Sequence, residues 1–273
     1  MRTVVFVAAP LAAMAGLYGA GVTRLWRRAG TGKGVPVWNA ACFATGWTVA
    51  AVALLSPIAR LSEILFSVHM TQHTLLMLVA APLMAFGQPL LACMWTLPDE
   101  RRERVVAALR HPRTVSAWRA ITAPLTAFLL QAIALWIWHV PRLYAAALHD
   151  DAVHAVQHLS FLLTASMFWW AMVHGRYGRR GYGLAVVYVF LTAVHSGALG
   201  ALLTFAPFPW YGDYVTRGAA HRVDALGDQQ LAGLLMWIPA GVVFMVLGLA
   251  LFAAWMGEAE RRVRLGVTDA AAR

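Results

Sequence analysis

A chain of 273 residues that is 60% apolar and only 12% charged is not composed as a water-soluble domain, which would carry about twice that charge. Two cysteines exclude a disulfide framework. The net charge of +10 would suit a nucleic acid, but the cations gather in short runs beside apolar stretches, which reads as membrane topology and no nucleic-acid partner.

Apolar stretches of roughly 20 residues, the length a helix needs to cross the hydrocarbon at 1.5 Å per residue, cover residues 4–23, 37–56, 66–95, 118–139, 152–173, 182–206 and 229–256. They are too long and too continuously apolar for the alternating strands of a membrane barrel. The expected fold is therefore all-α: a single transmembrane domain, a polytopic bundle of about seven helices, with 257–273 as a tail. Arg24, Arg27, Arg28 and Lys33 follow the first stretch, and Arg101, Arg102, Arg104, Arg110 and Arg113 the third. Arg176, Arg179 and Arg180 follow the fifth, and Arg261, Arg262 and Arg264 the seventh. The other connections hold Arg60, Arg142, Arg217 and Arg222 among Glu63, Asp150, Asp151, Asp213, Asp224 and Asp228. By the positive-inside rule the N-terminus is outside and the tail cytoplasmic. Only Arg2 precedes the first stretch while three arginines follow it, the reverse of a signal peptide, so the stretch is expected to be retained. Residues 99–113 read as a basic amphipathic helix on the inner surface. Cys42 and Cys93 fall near inner ends, which excludes thiolate ligation outside.

The pentad H-x-x-Q-H occurs twice, at His69–His73 and His154–His158. Each copy opens a descending stretch after a proline (Pro57, Pro141) and an outer connection. Pro207 and Pro209, followed by Asp224, Asp228 and Gln229, suggest a degenerate third copy. The units run in one direction, so they are parallel helix-pair repeats related about the membrane normal.

Residues four apart share a helix face, so each pentad presents two imidazoles to a partner helix. His139 closes the fourth stretch at the same outer level. His195 lies mid-span, and the small residues Ser196, Gly197, Ala198, Gly200 and Ala201 are expected to draw it into the bundle. His221 and Asp228 stand where they could lid the site; the bland reading of His139, His149 and His221 is a seat at the headgroup level, and His111 and His174 read as solvated. Two readings of the pentads stand side by side. In one, the histidines with Gln72 and Gln157 form interhelical hydrogen-bond networks. In the other they ligate a metal or haem, with Gln72, Gln157 and Gln229 behind the ligands fixing imidazole tautomers. Ionisable residues within a membrane are costly, and this concentration exceeds what packing requires, which favours ligation. Imidazole suits zinc, copper, iron and nickel, and thioether favours Cu(I). That brings in Met70, although it lies roughly 100° around the helix from His69; Met77 reads as packing. The tryptophans near stretch ends, Trp138 and Trp169 among them, read as interfacial anchors, and Pro82 and Pro89 as bends.

The stretches HMTQHTLLMLVAAPLMAFGQP, HAVQHLSFLLTASMFWW, HSGALGALLTFAPFPWY and DQQLAGLLMWIPAG resemble the CtaG family of multi-span membrane proteins over roughly residues 40 to 256. The resemblance implies a bacterial inner-membrane bundle that assists maturation of cytochrome c oxidase at the copper-insertion stage. Its partners would be oxidase subunits and the lipid bilayer. The family's polar positions map onto His69, His73, His154, His158, His195 and Asp228. The expectation is a non-enzymatic factor with an extracytoplasmic Cu(I) site at His69, His73, His154, His158 and His195. His139, His221, Asp228 and Met70 are further candidates for ligation or gating. A haem protein, with His69 or His73 opposite His154 or His158, and a histidine-rich di-iron enzyme are the alternatives.

Overall fold

A computed structural model of the chain describes residues 2–174 and 181–271, and every regular element among them is helical. Arg176, Arg179 and Arg180 lie outside the described residues, as do the side chains of Arg2, Arg262 and Arg264. The order is α1 (Arg2–Ala29), α2 (Val37–Leu55), α3 (Pro57–Leu61), α4 (Phe66–Thr74), a π-helical turn (Leu75–Ala80), α5 (Ala81–Phe86), α6 (Pro89–Met94), α7 (Asp99–Arg110), α8 (Pro112–Ile121), α9 (Pro124–Trp138), α10 (Pro141–His149), α11 (Asp151–His174), α12 (Gly181–Thr204), α13 (Gly212–Ala220) and α14 (Ala225–Ala271).

Five runs are each long and apolar enough to cross a membrane: Val37–Leu55, Phe66–Phe86, Asp151–His174, Tyr182–Thr204 and Ala225–Arg261. The pair α8–α9, bent by 50°, makes a sixth if it is one span. The first expected stretch falls inside α1, whose 28 residues measure about 42 Å at the helical rise. Large apolar side chains such as Ile133, Leu163, Phe190 and Val246 point outward, as a surface facing lipid rather than water requires.

The expected boundaries shift where proline intervenes. The third stretch ends at Phe86 rather than residue 95, because Gln88 takes a left-handed conformation (φ 52°) and Pro89 starts α6 in a new direction. The Tyr18 hydroxyl donates to the Gly87 carbonyl (2.8 Å) and fixes that corner against α1. The fourth stretch begins its straight course only at Pro124. The single amphipathic helix expected over 99–113 breaks at His111, where Pro112 opens α8. Proline has no N–H to give the preceding turn and its ring crowds the carbonyl four residues earlier. Pro82 follows the π turn directly, and that wider turn absorbs the same clash without ending the span.

The connections at the histidine end are short helices rather than loops. A long helix, a short one and a long one recur as α2, α3 and the run from α4 through the π turn to α5, then as α9–α10–α11 and α12–α13–α14, so the third unit exists as an element pattern despite its divergent sequence. Within the last unit α12 and α14 meet through glycines: a Cβ at Gly233 would lie 2.5 Å from the Gly200 carbonyl oxygen, and one at Gly197 within 3.2 Å of Trp237. Trp169 is buried, its indole N–H donating to the Met77 carbonyl (2.8 Å), and so holds α11 to the π turn instead of anchoring at an interface.

At the opposite end Asp99 gathers Arg28 (2.7 and 2.8 Å), Arg102 (2.9 Å) and Arg24 (3.4 Å), joining the end of α1 to the start of α7. The Arg28 hydrogen bond, with Arg102 beside it, holds the exposed Asp99 carboxyl below its usual range.

Candidate metal centre

Each pentad forms one helical turn, and the turns face one another. His69 and His73 lie on α4 with ring centroids 4.4 Å apart; His154 and His158 lie on α11 at 4.5 Å. Across the interface His69 is 5.2 Å from His154 and 5.6 Å from His158, and His73 is 5.2 Å from His158. All but His154 are buried. His69, His154 and His158 each offer a ring nitrogen, and these nitrogens lie within 4.8 Å of one another. An ion bound at about 2.0 Å by three nitrogens needs them about 3.5 Å apart, so about an ångström of closure assembles a trigonal site.

The four rings make no hydrogen bond to one another. Both nitrogens of His69 and of His73, and Nε2 of His154 and of His158, are buried without a hydrogen-bond partner. Each such group costs about 1–3 kcal/mol when left unpaired. Gln72 turns away, its amide donating to the Ala53 carbonyl on α2 (2.6 Å). Gln157 lies beside His69, where its amide can meet one of the ring nitrogens. Among the described residues no carboxylate joins the three-histidine group. The donor set is therefore neutral nitrogen.

Asp228 explains how α4 is held at this depth. Leu65 precedes α4 and offers no side-chain cap. The Asp228 carboxylate, from the first turn of α14, instead accepts from Phe66 N (2.6 Å), from Ser67 N (3.4 Å) and from the Ser67 hydroxyl. It supplies a helix N-terminus with the acceptor and negative charge it lacks. Asp228 is thus a clamp on the histidine-bearing turn rather than a member of the cluster. Gln229, beside it, accepts from Trp210 N (2.7 Å) and ties down the segment before α13.

The remaining candidates separate. His139 is buried, not at headgroup level: Nδ1 lies 2.7 Å from the Leu135 carbonyl and Nε2 3.4 Å from Met70 Sδ. Its ring is 6.3 Å from that of His73. His195 does not join them. The glycine face of α12 is turned to α14, so His195 points elsewhere and meets Phe128 of α9 (5.6 Å), with both nitrogens unpartnered. His221 is exposed and bonds the Arg217 carbonyl, but it lines a mouth of the site. His149 is exposed and faces Asp213 (3.2 Å).

A tyrosine cap, absent from the sequence-based expectations, closes the cluster. Tyr144 of α10 lies 5.3 Å from His69 and donates to Tyr214 of α13 (3.1 Å), which donates to the Ser62 carbonyl (2.9 Å). Tyr211 donates to the His139 carbonyl (3.0 Å). Phe66 packs among all three rings. The readable signal was the recurrence of tyrosine a few residues after the prolines of two connections.

Two cavities of about 350 and 430 Å³ open beside the cap, and His154 and Glu63 line both. His158 also borders an apolar cleft of about 300 Å³ between α1 and α11, with Leu11, Met14 and Leu159. Behind the cluster, His73 lines a chamber of about 40 Å³ with Met77, Gln131 and Ser196.

Comparison with known proteins yields one family and two relatives. A family model described as cytochrome c oxidase caa3 assembly factor matches residues 16–258. An uncharacterized protein of Mycobacterium bovis and one of Mycobacterium tuberculosis are each 24% identical to this chain, covering 90% of it and 38% of the relative. The chain thus spans about two fifths of the length of the curated relatives it matches. No solved structure matches.

Proposed function

Since the chain belongs to the family of cytochrome c oxidase caa3 assembly factors, we propose that it is a non-enzymatic membrane carrier of Cu(I). In this reading His69, His154 and His158 hold the ion, and His73 stands ready behind them. One observation carries the proposal: two helices bring four histidines together with their ring nitrogens buried and unpartnered. Nitrogen donors suit several first-row metals, so charge decides among them. No carboxylate belongs to the group, and the desolvation cost of an ion rises with the square of its charge, so a buried, neutral site favours a monovalent cation. Ring centroids 5.2 and 5.6 Å apart across the interface leave too little room for a macrocycle between two axial imidazoles, which counts against a haem. The pentads offer Gln-His where a histidine-rich di-iron site usually has adjacent histidines, which speaks against that enzyme.

The alternation of basic connections supports an extracytoplasmic histidine end in a bacterial inner membrane, with α1 counted as a seventh span. The oxidase is the recipient. Two mouths at His154 admit the ion, and the cleft at His158 gives a bilayer-embedded partner access to it without crossing water. The protein purified under reducing conditions is expected to retain Cu(I). In the His69→Gln, His158→Gln double variant, affinity falls more than tenfold and oxidase from cells carrying it lacks copper. Wild-type protein that binds no copper, or a double variant that binds and delivers it normally, sinks the proposal.

A further inference from the structure

Beyond the pentads, the contact between His139 and Met70 has a chemical peculiarity. Nδ1 of His139 lies 2.7 Å from the Leu135 carbonyl oxygen, which has only lone pairs to offer, so this contact is a hydrogen bond only when Nδ1 carries the proton. A neutral ring then leaves Nε2 with a bare lone pair. That lone pair faces Met70 Sδ at 3.4 Å, and a thioether has no proton to give. Both side chains are buried and none of the cavities at the cluster is lined by either. Two acceptors thus meet head on where no donor stands between them.

We infer that His139 Nε2 and Met70 Sδ form a second Cu(I) site, distinct from the three-histidine group and closed to water. The separation suits an ion without rearrangement: with metal–nitrogen about 2.0 Å and metal–sulfur about 2.3 Å, a 3.4 Å bite corresponds to a bond angle of roughly 105°. One imidazole and one thioether form a neutral donor pair, soft at one end, that selects Cu(I) over divalent ions. His73 is the shared neighbour, 4.4 Å from His69, 5.2 Å from His158 and 6.3 Å from His139 between ring centroids. Both its nitrogens are unpartnered. It can complete either site, so an ion passes from the open cluster to the closed pair by exchange of one ligand for another, with no change of oxidation state. The role as a second station rests on the reading of the cluster as a copper site; the pair itself does not.

The full-length protein in detergent, loaded anaerobically with Cu(I) in ascorbate, tests this by copper content and by X-ray absorption at the copper edge. Wild type is expected to bind about two Cu(I) per chain and to show a sulfur shell near 2.3 Å. Met70→Leu, which conserves volume, loses the sulfur shell and about one ion, and His139→Gln does the same. Met77→Leu keeps both. Wild-type copper with a shell of nitrogen alone, or a sulfur shell that survives Met70→Leu, overturns the inference. The His69→Gln, His158→Gln variant separates the two readings. A retained sulfur shell with one ion lost supports both sites; a retained shell with no ion lost supports the pair and removes the cluster.

Discussion

Asp228 shows how a single residue acts on a site it does not touch. Its carboxylate caps α4 one turn before His69, so losing it frees amide groups at the start of the helix that sets the depth of two imidazoles. Asp228→Ala is expected to cost about 1–2 kcal/mol of stability, the range for a lost helix cap, and to weaken copper binding. Asp228→Asn keeps an acceptor and should retain most of both. Thermal unfolding beside Cu(I) competition checks this; an Asn variant that loses copper while unfolding normally would make Asp228 a ligand after all. The pentads were legible in the sequence because their spacing fixes one face of each helix, whatever surrounds them. Asp228 was not, since its place beside the last outer connection suggested a lid rather than a cap. Its true partners are backbone amides 161 and 162 residues away. The same holds for His139 and Met70: that they meet follows from the approach of α9 to α4, which neither local sequence encodes.

Elements were legible in proportion to their length. Five of the seven long apolar runs stand as single helices able to cross a membrane, whereas α3, α10 and α13, of five to nine residues, are too short to establish a helical period against mixed composition. The last two matter because they carry Tyr144 and Tyr214 over the cluster. Proline set the misplaced boundaries, at Pro89, Pro112 and Pro124. The small-residue stripe was read correctly as a close-packing face but assigned the wrong consequence. Gly197 and Gly200 lie about 200° and 140° around the helix from His195 at 100° per residue, so seating them on α14 turns the histidine away. That contact makes a sharp prediction. Gly233→Ala places a methyl group against the Gly200 carbonyl and Thr204, where backbone has no freedom to yield, and should cost about 1–3 kcal/mol as overpacking does. Gly241→Ala, with open space around it, should be neutral. Equal unfolding temperatures for the two variants would remove close packing of α12 on α14 from the account.

For the whole molecule, the two ends of the bundle differ in kind. One carries the histidines, the tyrosine cap and the mouths lined by Glu63; the other carries Asp99 with its three arginines and the exposed basic helix α7. The copper proposal as stated has the first end facing outward, so that the mouths at His154 open on an extracytoplasmic supply of the ion. Charge alone argues for that orientation, and labelling can test it independently of any metal. In a background of Cys42→Ser and Cys93→Ser, Glu63→Cys should react with a membrane-impermeant maleimide in intact cells. Arg104→Cys, on α7, should react only after lysis. The opposite pattern would turn the histidine mouth toward the cytoplasm, and copper would then reach the cluster from the cytosolic pool. His158 would still open toward lipid through the α1–α11 cleft, so the lateral route to a partner survives either orientation, while the source of the ion does not.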